Sequence, residues 1–426
     1  LIIEYKLEEH QILADSGSSS MGKSAYDNFI PPLDEGIGME AIREIERRSH
    51  DIVAKIRAVA FEPNSEKFLK RRYNMTETAK LVGRTDTAIR EAEKHGRLRE
   101  PDIDPKGRRT GYTLEDINAM RGYFGTRPWR SDQDEPIVLA VQNFKGGVGK
   151  STISCHLAQY LAQQGYRVCV VDCDSQASTT TIFGFNPDSD LDDGDTLLPY
   201  LTREGHLEDL SYAVNPTYWD GLDLIPSNLA LYDAEYALAA EIHGNPLALN
   251  RLREGIDSIK HRYDVVIIDP PPALGMISLS VLRAANAMIV PVPPSTVDFS
   301  STTHFFTMLV ESLGILEKHG LHASYKFLRV VASKVNDNKS AHTEISKIMR
   351  SVYEMYILDS QMKDSAEIDN ANARLMTVFE LERAQTSKET YNRCLAHLNA
   401  VCGEIELLIR KTWASHQKIL RREGVV

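Results

Sequence analysis

The sequence predicts an α/β protein: a mostly parallel sheet flanked by helices, preceded by a smaller, mainly α module. Three observations carry this. Residues 137–174 run strand, glycine loop, helix, strand, which is the pattern of a βαβ unit. A later apolar run, "YDVVIIDPPPALG", again reads as a buried strand ending in an acid, Asp269. Between Lys70 and Arg130, basic residues outnumber acidic ones in a chain of net charge −11, and two short helical patterns flank a glycine there.

Residues 1–35 are expected to be a disordered or non-native leader, with Met21 the natural start. Residues 36–69 contain "MEAIREIERRSHDIVAKIRAVAF", which places Ile42, Ile45, Ser49, Ile52, Ile56 and Val59 at alternating steps of three and four. That is a heptad seam, fit either for a dimerisation helix or for packing on its own domain. Over 70–130, "MTETAKLVGRTDTAIREAEKHGRL" predicts a helix near 76–82, a turn at Gly83 and a second helix that Thr85 caps. Ala79, Leu81, Val82, Ala88, Ile89 and Ala92 pack the pair together, leaving Arg84, Thr87 and Arg90 outward. Lys106, Arg108 and Arg109 then crowd a glycine-containing loop before a third helix capped by Thr113. The order resembles a winged helix-turn-helix of the MerR type, so DNA is the expected partner of this face, a protein-docking face being the alternative. "YFGTRPWRSDQDEP" breaks the periodicity and puts a domain boundary near 122–136, with the second domain over 136–426.

The glycine loop is "VQNFKGGVGKS". It matches G-x-x-x-x-G-K-[ST] except that Phe144 stands where the first glycine belongs, with a second lysine, Lys145, beside it. Gly146, Gly147 and Gly149 can turn backbone N–H groups onto phosphate oxygens at a helix N-terminus. Lys150 supplies a point charge for phosphates, and Ser151 an oxygen for Mg²⁺. Asp172 and Asp174 in "VVDCDSQ", and Asp269, end strands beside this loop, where ligands bind in open α/β sheets. Asp269 suits a water-mediated hold on Mg²⁺, and Asp174 suits orientation of the attacking water.

Lys145 with "GGVGKS", "DCDSQAS" and "IIDPPPALG" resemble, in order, the deviant Walker A, A′ and B motifs of the ParA/MinD ATPases. The resemblance extends over about residues 137 to 405, through "VPVPP", "RVVASKVN" and "TVFELERAQTSKETYNRCL". With the N-terminal module, the chain is similar to the large plasmid partition proteins of the ParA/RepA type. This implies a P-loop NTPase sheet, ATP and Mg²⁺ as cofactors, and Mg-dependent hydrolysis to ADP. It implies a nucleotide cradle of Lys145, Gly146, Gly147, Val148, Gly149, Lys150, Ser151 and Thr152, with Lys145, Lys150 and Asp174 catalytic and Ser151, Asp172 and Asp269 at the metal. Lys145 would reach the partner's phosphates in a sandwich homodimer, although it could instead neutralise only its own nucleotide. Pro291, Pro293, Lys334 and Asn336 match the family's base-reading positions. Lys363 stands where relatives carry a basic residue for nonspecific DNA. The implied partners are nonspecific DNA, an operator and a centromere-binding protein of the ParB/RepB type, in a cytoplasmic, nucleoid-associated setting with autorepression.

Rival readings are narrower. A MinD-like membrane-positioning ATPase needs an amphipathic anchor, and the tail offers only Trp413, Ile419 and Leu420. No apolar run reaches the roughly 18 to 20 residues that span a bilayer. A metabolic relative needs cluster cysteines or a substrate pocket, whereas Cys155, Cys169 and Cys173 fall in helix and strand patterns expected to be buried. A nucleotide-sensing repressor without a partition role keeps every motif and is separated only by its activity.

Overall fold

The computed structural model describes residues 38–60, 67–204 and 207–425. The leader expected over 1–35 lies outside these. Contacts divide the chain into two units, Leu1–Val59 and Ala60–Val426. The first holds α1 (Met39–Ala60), on which Ile42, Ile45 and Ile52 are exposed. Glu44 pairs with Arg47 and Arg48, and Arg47 with Asp51, one turn apart along the helix. Such exposed pairs add only a few tenths of a kcal/mol each.

The second unit opens with the small helical module. Asn74 caps α2 (Met75–Val82) in a reciprocal box with Glu77, and Gly83 ends it in the left-handed region at φ 70°. Thr85 caps α3 (Asp86–Lys94), and Thr113 caps α4 (Leu114–Phe124) in a second box with Asp116. Each cap meets backbone N–H groups that a helix start leaves without partners. Between α3 and α4, Asp104 N donates to Arg108 O at 2.8 Å and Ile103 bridges Arg109 antiparallel, a small hairpin.

The sheet follows, in spatial order β3-β4-β2-β5-β1-β6-β7. In chain order, β1 (Ile137–Val141), α5 (Lys150–Gln164), β2 (Val168–Asp172), α6 (Ser178–Ile182) and α7 (Leu198–Thr202) precede β3 (Asn215–Pro216) and β4 (Leu222–Ile225). Then come α8 (Leu231–Glu241), α9 (Arg251–Ile259), β5 (Val265–Asp269), α10 (Met276–Ala284), β6 (Ala287–Val292), α11 (Thr296–Lys318) and β7 (Phe327–Ala332). Helices α12 (Ser340–Tyr353), α13 (Ala366–Asn372), α14 (Lys388–Thr412) and α15 (Gln417–Arg422) close the chain. Every pairing is parallel except β3 with β4. The central strands are buried on both faces, which is why they read as unbroken apolar runs instead of alternating.

Helix α5 is covered on all sides. Ile153, Leu157 and Leu161 join the core, and Tyr160 donates its hydroxyl to Glu406 of α14 at 3.0 Å. Gly165 stops it at φ 100°. The small module shares this core: Tyr73, Val82, Ile89, Ile117 and Met120 belong to one cluster with Leu139, Leu157 and Leu161. Arg121 of α4 fastens the two. Its guanidinium, 1% exposed, donates to Leu81 O, Asn118 Oδ1 and Gln163 O at the end of α5. Burial lowers its pKa to about 10, so it stays charged at neutral pH. Residues 122–136 are stitched down as well: Trp129 donates to Gly165 O, and Arg130 to Tyr263 O and His261 O. All five cysteines are buried and free. Trp413 and Leu420, two of the three apolar tail residues, are fully buried in the fold. Among the described residues no helix is long and apolar enough to cross a membrane.

His156, 1% exposed, ties α5 to the C-terminal segment. Val378 N donates to Nε2 at 3.2 Å, and Nδ1 meets Thr152 O at 2.7 Å, which suits the neutral ring with the proton on Nδ1. Burial lowers its pKa from 6.5 to about 4. The unfolded chain therefore takes up this proton first. The stability that His156 contributes is intact above pH 6.5 and drains away as pH falls toward 4, a loss of up to about 3 kcal/mol. Thermal melts of the native chain and His156→Gln across that window should show a shallower acid limb for the variant; parallel limbs would refute the assignment.

Candidate active site

The loop between β1 and α5 is built from both sides. Asn143 donates to Pro291 O of β6 at 2.9 Å and accepts from Lys145 N at 3.0 Å. Phe144 packs on Phe305 of α11, with ring centroids 4.9 Å apart. The residue in place of the missing glycine is thus an aromatic anchor. Gly147 and Gly149 sit at φ 72° and 98°, which side-chain-bearing residues rarely adopt. Ser333 at the end of β7 donates its hydroxyl to Val148 O at 2.8 Å and holds the crest of the loop. No side chain caps α5, so its first N–H groups are left for an anion.

The two lysines sit differently. Lys150 is 6% exposed, and its ammonium turns into the loop, donating to Lys145 O at 3.1 Å. Burial lowers its pKa, against the pull of Asp269 and Asp174. Lys145 lies at the mouth, its side chain 35% exposed, with Nζ 2.5 Å from Asp298 Oδ1 at the start of α11. Against a burial penalty, Lys145 and the Ser295 hydroxyl hold Asp298 below the usual carboxylate range.

Asp172 and Asp269 end adjacent strands in register, both fully buried. Asp269 accepts from Ser154 Oγ at 3.1 Å and Thr179 Oγ1 at 2.8 Å. Asp172 was expected at the metal. Its oxygens accept from Thr180 N, Thr180 Oγ1 and Asp174 N, bonds that brace the turn into α6. Burial raises both carboxyls, and the charge of Asp269 raises Asp172 further. Asp174 is half-buried, accepts from Gln176 N at 3.0 Å, and has its pKa raised by burial.

A trough adjoins the loop. A cavity of about 90 Å³ touches Gly149, Thr152, Lys334 and Lys363, and one of about 310 Å³ continues it past Asn336 and Asp364. Lys334 is held at φ 51°, a strained value for a lysine. Pro291, near the end of β6, and Pro293, just beyond it, are buried and line neither cavity, and the Pro291 carbonyl accepts from Asn143 of the loop. Lys363 is not a free surface cation: it donates to Asp337 Oδ1 at 2.6 Å and Gln361 Oε1 at 2.9 Å.

On the small module, Thr87, Arg90, Lys106 and Arg108 are exposed. Arg84 is exposed but braced, donating to Gly83 O and Phe124 O. Arg109 is exposed and also has a partner within the module. It grips Glu93 at 2.6 Å, whose side chain is 3% exposed and also accepts from Tyr112 at 2.6 Å. Its first task is to hold the hairpin on α3.

The family model for an AAA domain matches residues 137–319. Protein SopA of Escherichia coli is 36% identical over 386 residues, covering 88% of this chain and 98% of SopA. The chain belongs to the ParA family of partition ATPases. A putative replication protein A of Rhizobium rhizogenes is 33% identical over 392 residues, with 88% and 96% covered. Among solved structures, a partition protein aligns with TM-score 0.61 at 20% identity, over 87% of this chain and 98% of that one. The ATP complex of a Cyanothece McdA variant aligns with TM-score 0.53 at 21% identity, over 64% and 97%. At these identities the structural matches speak to fold alone, and they agree on the P-loop NTPase sheet.

Sequence reasoning missed Asp298, Thr179 and Thr180. Ser295-x-x-Asp298 is legible as a helix start, but its pairing with Lys145 is not. Lys150→Ala should weaken nucleotide binding by about 10-fold or more, the worth of a charged hydrogen bond. Lys145→Ala and Asp298→Ala should leave it within about three-fold, since that pair stands at the mouth. A fluorescent-nucleotide titration decides; equal losses at Lys145 and Lys150 would contradict the separation of the two lysines.

Proposed function

We propose that the chain is a plasmid partition ATPase working as an ATP-gated homodimer on DNA. The observation that carries this reading is the placement of the two lysines. Lys150 already occupies the phosphate cradle, while Lys145 waits at the mouth on a carboxylate it can exchange. In this reading Lys145 leaves Asp298 for the phosphates of a partner subunit, offsetting the repulsion between two nucleotide-bearing faces as a cation supplied in trans does. Ser151 and, through water, Asp269 would hold Mg²⁺; a loop hydroxyl and a buried carboxylate suit a hard cation with oxygen ligands. The ion would screen phosphate charge. Asp174 orients the attacking water, being half-buried at the strand end and within the field of Lys150. The trough from Lys334 to Asn336 receives the base.

The dimer binds DNA without sequence preference, and a centromere-binding partner of the ParB/RepB type stimulates hydrolysis and releases it. Pairing of α1 through Ile42, Ile45 and Ile52 would join two chains independently of nucleotide. The small module reads an operator, with α3 presenting Thr87 and Arg90 to bases and the hairpin presenting Lys106 and Arg108 to phosphates, and so represses its own operon. A nucleotide-sensing repressor without partition activity is the second reading, favoured by the shared core that joins the module to α5. ATPase assays with and without DNA and the partner separate the two.

Asp174→Ala should bind ATP normally and hydrolyse it about 10²-fold or more slowly, the usual worth of a positioned acid–base group; turnover at the native rate would remove Asp174 from the reading. Arg90→Ala and Arg108→Ala should weaken operator binding without shifting the melting temperature. Arg109→Ala should instead destabilise the protein by about 1 to 3 kcal/mol, because Glu93 loses its charged partner while buried. Fluorescence anisotropy beside thermal melts tests the contrast, and a stable Arg109→Ala that has lost only DNA binding would reverse it.

A further inference from the structure

At the strand ends opposite the phosphate loop lies a cavity of about 440 Å³, within the range of small-molecule sites. It is walled by the end of α9, the end of α10, the segment joining α11 to β7, and the approach to β1. Four cations line it, Arg253, Lys260, Arg283 and Lys326, against two carboxylates, Glu135 and Asp257. Three of the cations share those acids: Lys326 with Glu135 at 3.0 Å, Lys260 with Asp257 at 2.6 Å and Glu135 at 3.7 Å, and Arg253 with Asp257 at 3.5 Å.

Arg283 stands apart. Its Nε and Nη1 are sealed from solvent without a hydrogen-bond acceptor, and no ion pair involves it among the described residues. The C-terminal dipole of α10 favours a cation here, yet no carbonyl or carboxylate is in range. Nitrogens sealed from a water-sized probe are sealed from the cavity too, so what Arg283 offers a ligand is its remaining nitrogen, Nη2, which no group among the described residues bonds. The surplus of two positive charges matches a phosphate monoester, which carries nearly two negative charges at neutral pH. The chain as a whole carries a net charge of −11, so a cavity with this balance is a local well for an anion.

We propose that this cavity is a second anion site, distinct from the nucleotide cradle, that takes a phosphate group with Arg283 as its principal ligand and Lys326 and Arg253 at its edge. The phosphate comes from a small phosphate ester or from a nucleic-acid backbone, and the chemistry at Arg283 is the same for both.

The test uses the full chain with its phosphate loop saturated by AMPPNP and Mg²⁺, so that added anion cannot enter there. Inorganic phosphate is titrated at constant ionic strength against chloride and followed by calorimetry and thermal melting. The native chain should bind phosphate in the millimolar range and melt several degrees higher with it. Arg283→Gln should lose at least ten-fold in phosphate affinity and show no phosphate-dependent rise. It should bind AMPPNP as the native chain does, and without phosphate it should melt no lower. Lys326→Ala, at the solvent edge, should lose affinity in part, and serves if Arg283→Gln does not fold. Displacement of phosphate by a short duplex from the native chain assigns the site to nucleic acid, and phosphate retained beside the duplex assigns it to a free ester. Phosphate acting no differently from chloride, or equally on Arg283→Gln, overturns the proposal.

Discussion

Asp172 and Asp269 end neighbouring strands side by side, both removed from water, and two such charges cost several kcal/mol unless donors or a cation meet them. Much of the local architecture supplies those donors. Thr180 delivers a backbone N–H and a hydroxyl to Asp172, and Thr179 delivers a hydroxyl to Asp269. Both threonines come from α6, so the chain must turn sharply after β2, and Ala177 takes φ 52° to allow it. Ser154 reaches Asp269 from α5, and the charge of Lys150 acts on it from the loop. The phosphate loop and the turn after β2 are held next to each other because both are needed to satisfy one buried pair.

The sheet was legible because its strands are buried on both faces and read as unbroken apolar runs, and because strand, glycine loop and helix occur within one βαβ unit. The helix starts of the small module were legible because caps are local: Thr85 and Thr113 sit where their side chains meet N–H groups three residues on. What stayed hidden was long-range pairing. Lys145 and Asp298 are more than 150 residues apart in the sequence, and nothing local to either marks the other. The same holds for Arg109 and Lys363. A basic residue looks like a DNA contact in a sequence, and only the fold brings Glu93 and Asp337 to them. Pro291, inside β6, and Pro293, just past its end, are both buried, and nothing beside a proline in the sequence marks its burial.

Charge is used in three ways along this chain. In the cradle, burial and nearby carboxylates set the state of Lys150 before any phosphate arrives. At the mouth, Lys145 keeps a partner that is partly exposed and therefore weakly held. In Arg121, a guanidinium without a carboxylate is satisfied by two carbonyls and an amide, so it joins three helices without a buried ion pair and its desolvation cost.

That last arrangement has a mechanical consequence. Helix α5 begins at Lys150 and ends one residue before Gly165, and the carbonyl that Arg121 holds belongs to its final residues. At 1.5 Å per residue the rod is about 22 Å long. One end is the floor of the phosphate loop, and the other is the seat of the small helical module. Packed on all sides, it has little freedom to bend. A tilt of about 10° at the loop would carry the far end by about 4 Å, comparable to the 3.4 Å rise between stacked base pairs.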